Sequence, residues 1–201
     1  NNFDEQTYLA YENLPQLVSH LHLPIQSGSD RILAAMKRGY TVLEYKSVIR
    51  KLKKARPGIT FSSDFIVGFP GESEEDFMKT IDLIKEVEFD QSYSFIYSKR
   101  PGTPAASLYD EINYTEKKER LKYLQDTINI LSKSRSRSII GKKVEILVEG
   151  VSTKYSDMVT GRTTNNKIIN VPGKDNLIGE ILNIQVTELN NKSLKGEILI
   201  K

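Results

Sequence analysis

Residues 59–77 read ITFSSDFIVGFPGESEEDF, and this stretch decides the fold. Its first part, Ile59–Phe69, is rich in β-branched and aromatic residues and reads as a strand buried on both faces. Pro70-Gly71 then turns the chain. Ser73-Glu74-Glu75-Asp76 follows as the cap of a helix whose buried stripe is Phe77, Ile81, Ile84 and Val87. A buried strand, a tight turn and a capped amphipathic helix make one β–α unit.

The same order repeats on both sides. Upstream, Ser19–Gln26 sets Leu21, Leu23 and Ile25 in alternation against His20, His22 and Pro24, which predicts a strand. A short helix from Asp30 to Arg38 follows, with Gly39 expected as its left-handed stop. Thr41-Val42-Leu43-Glu44 is a capping box, and the helix it opens puts Tyr45, Ile49, Leu52 and Ala55 on one face before Pro57-Gly58 ends it. Downstream, Phe89-Asp90 leads into a third strand, Gln91–Ser98. Three strand–helix units within residues 18–113 argue for a parallel sheet covered by helices.

Beyond them the character changes. Residues 99–114, with Pro101-Gly102-Thr103-Pro104, read as loop, and a long helix runs from about Thr115 to Ser136 on Leu121, Leu124, Ile128 and Leu131. After Gly141 the apolar period switches from helical to alternating. Lys143–Glu149, Met158–Arg162, Lys167–Val171, Ile178–Leu189 and Leu194–Ile200 are strand candidates separated by Gly, Pro, Asn and Ser. Short strands so spaced predict a small OB-like barrel. The boundary falls near Ser138, dividing the chain into residues 1–137 and 138–201.

Composition narrows the chemistry. Of 201 residues, 38% are hydrophobic and 27% charged, the balance of an ordinary soluble protein; no apolar run approaches the length of a bilayer span. No charged-then-apolar leader opens the sequence, so a cytoplasmic location is expected. There is no cysteine, hence no disulfide, thiolate nucleophile or thiolate-held iron–sulfur cluster. His20 and His22 are the only histidines, too few for a protein-only zinc site.

Charge is unevenly placed. Residues 1–113 carry 13 basic and 16 acidic side chains, residues 114–143 carry 9 and 3, and residues 144–201 carry 7 of each. The basic stretch reads equally as a polyanion footprint and as a solvated helix face.

Parallel α/β sheets bind ligands beyond the carboxyl ends of their strands. The first strand here ends Gln26-Ser27-Gly28-Ser29-Asp30, a helix entry that suits a carboxylate or phosphate, or in which Ser29 or Asp30 only caps the helix. At the end of the second, Gly68 allows a close approach to the backbone, with Ile66 and Phe69 as apolar surface for a flat ring; a tight turn with Glu72 near the helix N-terminus is the plainer reading. The third ends in Lys99 and Arg100. No spacing matches a nucleophile–histidine–acid triad or a metal cluster.

Taken together, the strings HLPIQSGSDRILAAMKRGYT (22–41), DFIVGFPGESEEDF (64–77), FDQSYSFIYSKRPGTPAA (89–106) and VEGVSTKYSDMVTGRTTNN (148–166) resemble the methylthiotransferase family of radical-SAM enzymes, its tRNA-modifying members above all. The resemblance runs from about Leu14 to Ile198. It implies an α/β fold: a partial (β/α) radical-SAM TIM-type barrel followed by a small antiparallel OB-like β-barrel, the TRAM domain. It also implies S-adenosyl-L-methionine as cofactor and two 4Fe-4S clusters in the full-length enzyme, none of them ligated by this cysteine-free chain, which alone is expected to be inactive. The implied reaction abstracts hydrogen from C2 of N6-isopentenyladenosine next to the anticodon and installs a methylthio group.

By the same resemblance, Gln26 and Ser27 meet polar atoms of the cofactor, and Ile66, Gly68 and Phe69 face its adenine. The general pattern Gly-x-Ile-x-Gly-x-x-Glu is altered here, with Asp64 at the first Gly position and the Glu one place late at Glu72. Lys142, Lys143, Lys154, Arg162, Asn165 and Lys167 are the implied tRNA-binding residues, and the anticodon stem-loop the implied partner. Tyr155 is a stacking candidate or a half-buried barrel residue. Relatives in the family act on a ribosomal-protein aspartate or on threonylcarbamoyladenosine tRNA. A non-catalytic RNA-binding module is the alternative of a different class. An open sheet edge in a partial barrel further predicts self-association.

Overall fold

The computed structural model describes residues 3–191 and 193–199. Its contacts divide the chain into two compact units, residues 1–17 with 21–132 and residues 18–20 with 133–201.

The first unit contains α1 (Glu5–Asn13), most of β1 (His20–His22), α2 (Asp30–Ala35), α3 (Val42–Ala55), β2 (Thr60–Val67), α4 (Glu74–Val87), β3 (Gln91–Ile96) and most of α5 (Tyr114–Ser138). The sheet order is β1-β2-β3. β2 and β3 are parallel, with Ser62 opposite Gln91, Asp64 opposite Tyr93 and Ile66 opposite Phe95. β1 is shorter than the alternation predicts, but Gln26 returns to the sheet in a parallel bridge with Phe65. The predicted capping box forms at α3, Thr41 with Glu44, and the predicted cap of α4 is a box as well, Ser73 with Asp76. α1 is unforeseen because none of its residues is buried, so its apolar residues mark no stripe.

One expectation about backbone fails informatively. The left-handed residue after α2 is Lys37, at φ 60°, and not Gly39. The N–H of Arg38 reaches back to the Leu33 carbonyl and that of Lys37 to Ala34, so the helix closes before the glycine arrives.

Period-2 geometry gives β2 two faces. Phe61, Phe65 and Val67 point into the core formed with Ile49, Leu52, Ile81, Ile84 and Phe89, onto which Leu124 of α5 packs. The other face is less covered than the sequence predicts. Thr60 and Ser62 are buried there, but Asp64 and Ile66 are only half-buried, and Tyr93 and Phe95 beside them are 61% and 56% exposed. Helices lie on one side of the sheet; its other side is a surface.

The second unit is a closed barrel of β4 (Lys143–Val151), β5 (Met158–Thr163), β6 (Ile168–Pro172), β7 (Ile181–Asn190) and β8 (Ser193–Ile198), in the order β4-β5-β6-β8-β7 with β7 returning to β4. All five predicted strands are present, although Ile200, at the predicted end of the last, lies outside the described residues. The barrel is not wholly antiparallel: β6 and β8 run parallel, Ile169 opposite Leu194. A chain whose last strand must close against the third has no alternative once β7 has paired with β4. Ile146, Val148, Val159, Ile169, Val171, Ile184, Val186 and Leu194 fill the interior.

Candidate cofactor cleft and nucleic-acid surface

A cleft of about 710 Å³ opens at the carboxyl ends of the three strands. Gln26, Asp64, Ile66 and Phe69 line one side, Phe95, Ile96 and Tyr97 another, and Lys37, Arg38 and Arg100 stand among its remaining walls. Gln26 is held at φ 79°, donating its N–H to the Asp64 carbonyl and accepting the Ile66 N–H. A left-handed glutamine is a strained turn that the neighbouring strand fixes on both sides. Phe69 packs edge-on against Tyr97, with ring centroids 5.0 Å apart. The volume and the mixed apolar and polar walls fit a nucleoside-sized ligand, so Gln26, Ile66 and Phe69 suit an S-adenosylmethionine adenosyl group.

The other two implied cofactor residues lie elsewhere. Ser27 is fully buried, its hydroxyl accepting the Ser29 N–H and lying 3.4 Å from Thr80 Oγ1. It organises the loop and does not line the cleft. Above Gly68 the close approach is made from within the chain: a Cβ there would meet Lys117 Cγ at 2.5 Å. Lys117 is in turn bound to Asp110, Nζ to Oδ2 2.5 Å. Sequence could not foretell this, since Lys117 sits on α5, far along the chain.

Glu72 explains why its displaced position is tolerated. Its carboxylate accepts the Gly68 N–H at 2.7 Å and Nη1 of Arg120 at 2.9 Å, both within the core. Burial pushes the Glu72 carboxyl above the usual range, while the Gly68 N–H and Arg120 act in the opposite direction. The Arg120–Glu72 pair therefore ties α5 to the Gly68–Phe69 wall of the cleft. In the first turn of α4, Asp76 accepts from Ser29 Oγ of the first strand's loop at 2.6 Å, from Ser73 and from Arg31. Burial opposes its charge, but these hydrogen bonds prevail and hold its carboxyl well below the usual range.

No spacing in the sequence announces the polar cluster on the uncovered sheet face. His22 Nδ1 is 2.9 Å from Ser62 Oγ and its Nε2 is 3.4 Å from Asp64 Oδ1. A carboxylate only accepts, so a neutral His22 carries its proton on Nε2 and accepts the Ser62 hydroxyl at Nδ1. Ser62 is buried in mid-strand, so the set is not a nucleophilic triad. Among the described residues no group of three or more His, Cys, Asp or Glu side chains is arranged to hold a metal ion. With no thiol in the chain, its residues do not fit an iron–sulfur cluster.

On the barrel, Lys142, Lys143 and Lys154 are exposed. Arg162 is engaged, Nε to Glu149 at 3.0 Å and Nη1 to Asn166 at 2.8 Å. Asn165 is half-buried in the β5–β6 turn, and Lys167 is buried at 8% exposure. The structure adds Lys195. Its ammonium lies 4.8 Å from the Tyr155 ring centroid and that of Lys154 5.2 Å, while Asn190 donates to the Tyr155 hydroxyl at 2.9 Å. Tyr155 thus gathers two cations. Only the β7–β8 hairpin brings Lys195 there, which local sequence does not reveal. Among the described residues no helix is long and apolar enough to cross a membrane.

Comparison with known proteins agrees with this architecture. Residues 2–84 match the radical SAM superfamily and residues 137–199 the TRAM domain. The chain is 53% identical over 197 residues to the tRNA-2-methylthio-N(6)-dimethylallyladenosine synthases of Francisella tularensis subsp. novicida (strain U112) and subsp. tularensis (strain SCHU S4 / Schu 4). Each alignment covers 98% of this chain and 45% of the relative, so the chain spans a little under half the length of these relatives. Among solved structures, coproporphyrinogen III oxidase (HemN) from Escherichia coli, a radical SAM enzyme, is 15% identical with a TM-score of 0.46, over 88% of this chain and 44% of that one. Identity along nearly its whole length, with both domain matches in order, makes the chain similar to the C-terminal part of these synthases.

Proposed function

We propose that this chain supplies the cofactor-cleft wall and the RNA grip of an enzyme that adds a methylthio group to N6-isopentenyladenosine beside the anticodon of tRNA. One observation carries the reading: relatives with 53% identity over 98% of the chain bear that activity in their names, and residues from the strings 22–41, 64–77 and 89–106 build a single cleft here. S-adenosylmethionine, when bound and reduced, supplies the radical chemistry. The chain's own residues bind and orient. Gln26 offers its amide to polar atoms, Ile66 and Phe69 present apolar surface to a flat ring, and the Arg120–Glu72 pair keeps that wall in place.

The barrel holds the RNA by its backbone. Lys142, Lys143, Lys154 and Lys195 are cations suited to phosphates, which position a strand without reading it. Arg162 must leave Glu149 to take part, and Lys167, being buried, serves the barrel before it serves a ligand. The test is binding to tRNA with and without the isopentenyl group across a salt series. Tight binding that weakens steeply with salt, alike for both RNAs, is expected. Absence of binding at low salt overturns the grip and favours a protein substrate.

A further inference from the structure

We infer that Lys117 and Asp110 are positioning residues for the cleft: their buried ion pair fastens residues 98–111, the segment after β3, as one of its walls. This rests on the reading that the cleft takes an S-adenosylmethionine adenosyl group, and adds what keeps that wall in place.

Three observations converge. First, the segment carries much of the lining but has little of its own to hold it there. Ser98, Arg100, Thr103, Pro104 and Ala105 face the cleft. Sheet pairing stops at Ile96, opposite Val67, with one further bond from the Tyr97 N–H to the Val67 carbonyl. Beyond that point the hydrogen bonds are local: the Thr103 N–H and hydroxyl donate to the Arg100 carbonyl, the Ala106 N–H to Thr103, the Leu108 N–H to Ala105 and the Ser107 hydroxyl to Pro104. Among the described residues, the pair of Asp110 with Lys117 is the one hydrogen bond or ion pair that leaves residues 98–111 for another element.

Second, the pair is buried and its lysine is seated. The Lys117 side chain is 6% exposed and that of Asp110 20%. The Lys117 stem lies across Gly68, where a Cβ would meet its Cγ, Cδ and Cε at 2.5, 2.7 and 3.0 Å. A glycine at the end of β2 is what admits the stem. The ammonium therefore starts from a fixed place, and it ties the segment after β3 to the same turn whose Gly68 N–H the Glu72 carboxylate accepts.

Third, both holds come from one face of one helix. Lys117 and Arg120 stand three residues apart on α5 and are neighbours on its surface. Arg120 reaches the strand side of the cleft through Glu72, and Lys117 reaches the segment side through Asp110. The basic stretch that begins at residue 114 is thus divided in its first turns. Lys118 and Lys122 are solvated, whereas Lys117 and Arg120 form a buried clasp. Burial within the chain, and no bare surface, carries the inference.

The test removes both charges together, because Lys117→Met or Asp110→Asn alone leaves a buried charge without its partner and endangers the fold. The double variant Asp110→Asn/Lys117→Met keeps a stem across Gly68 and leaves no lone charge, so the α/β unit's unfolding midpoint should stay close to the parent's. Backbone amide relaxation over residues 99–108 of the full 201-residue chain should nevertheless show the segment passing from ordered to mobile. S-adenosylmethionine, followed through the Ile66 methyls by NMR, should bind about tenfold more weakly, since the ligand must then order a wall that the fold ordered before.

The inference is overturned if the double variant keeps the segment as ordered as the parent does, or if the segment loosens and S-adenosylmethionine binds as tightly as before. It also falls if the unfolding midpoint drops as the segment loosens, which would make the pair a prop of the whole unit. Should S-adenosylmethionine leave the parent chain's Ile66 methyls unmoved, the cofactor reading of the cleft fails, and amide relaxation still decides by itself whether the pair holds the segment.

Discussion

The two units solve the problem of sheet surfaces in opposite ways. In the barrel, β7 returns to β4 and β8 closes against β6, so every strand has two neighbours and each inward side chain faces the same interior. In the α/β unit, three strands leave one face to helices and the other to solvent, with Tyr93, Phe95 and His22 on it. The barrel therefore owes its stability to apolar closure. The α/β unit adds ion pairs, the buried Arg120 with Glu72 and the exposed Arg31 with the buried Asp76, which fix the loops at the sheet's carboxyl end. A closed sheet is self-contained; an open one leaves a face of its strands to solvent.

The largest break in that contrast comes from Arg120. Arg120→Met leaves Glu72 buried without its counter-ion, a change of the class that costs about 3–5 kcal/mol. Thermal unfolding followed separately for the two units, by NMR of Ile81 and Ile184 methyls, should show the α/β unit melting earlier and the barrel unmoved. Equal shifts in both would mean that the units do not unfold independently. Arg120→Lys, which keeps the charge but not the two-pronged contact, should recover part of the loss.

A complementary break spares the α/β unit. Gly161 lies where β5 crosses β4, and a Cβ would meet the Leu147 carbonyl oxygen at 2.5 Å, an atom that cannot rotate away. Gly161→Ala should cost the barrel about 1–3 kcal/mol by overpacking. Binding to tRNA should weaken in step, while the α/β unit's melting stays as it was. Unchanged barrel stability would show that β4 and β5 can part without loss.

Acid should separate the units as well. The Asp76 carboxyl is held below its ordinary range in the folded state, so its contribution is present above the unfolded value and is lost as pH falls through that range toward the folded one. Unfolding free energy of the α/β unit should decline from about pH 5 downward. Asp76→Asn should lower stability at neutral pH and flatten that decline. A slope unaltered by the substitution would place the acid sensitivity elsewhere.

What could be read from sequence was whatever is local. The two capping boxes needed only residues three apart, and the barrel strands only alternation between turn residues. What failed depended on distant parts of the chain. Gly68 reads as open to a ligand until Lys117 from α5 is laid across it. Ser27 reads from sequence as a cofactor contact, and the partners of its hydroxyl, Thr80 and Ser29, come into view only in the fold. The Ser62–His22–Asp64 set exists only because β1 lies beside β2, and strand registry is not a pattern in either strand alone. Gly39 shows a different limit, since a composition rule placed the left-handed residue two positions too late.

The smallest expected effect tests the barrel's share of the contrast. If Tyr155 gathers Lys154 and Lys195 for one stretch of RNA backbone, then Lys154→Ala and Lys195→Ala should each weaken tRNA binding uniformly across sequences and lower the salt slope by about one. Tyr155→Leu removes the ring that holds the ammonium groups together but keeps both charges. It should weaken binding less than either lysine loss and leave the salt slope near the parent value, because the number of phosphates neutralised is the same. If Tyr155→Leu instead weakens binding more than both lysine variants do, the ring itself touches the RNA, and the barrel reads bases as well as holding phosphates.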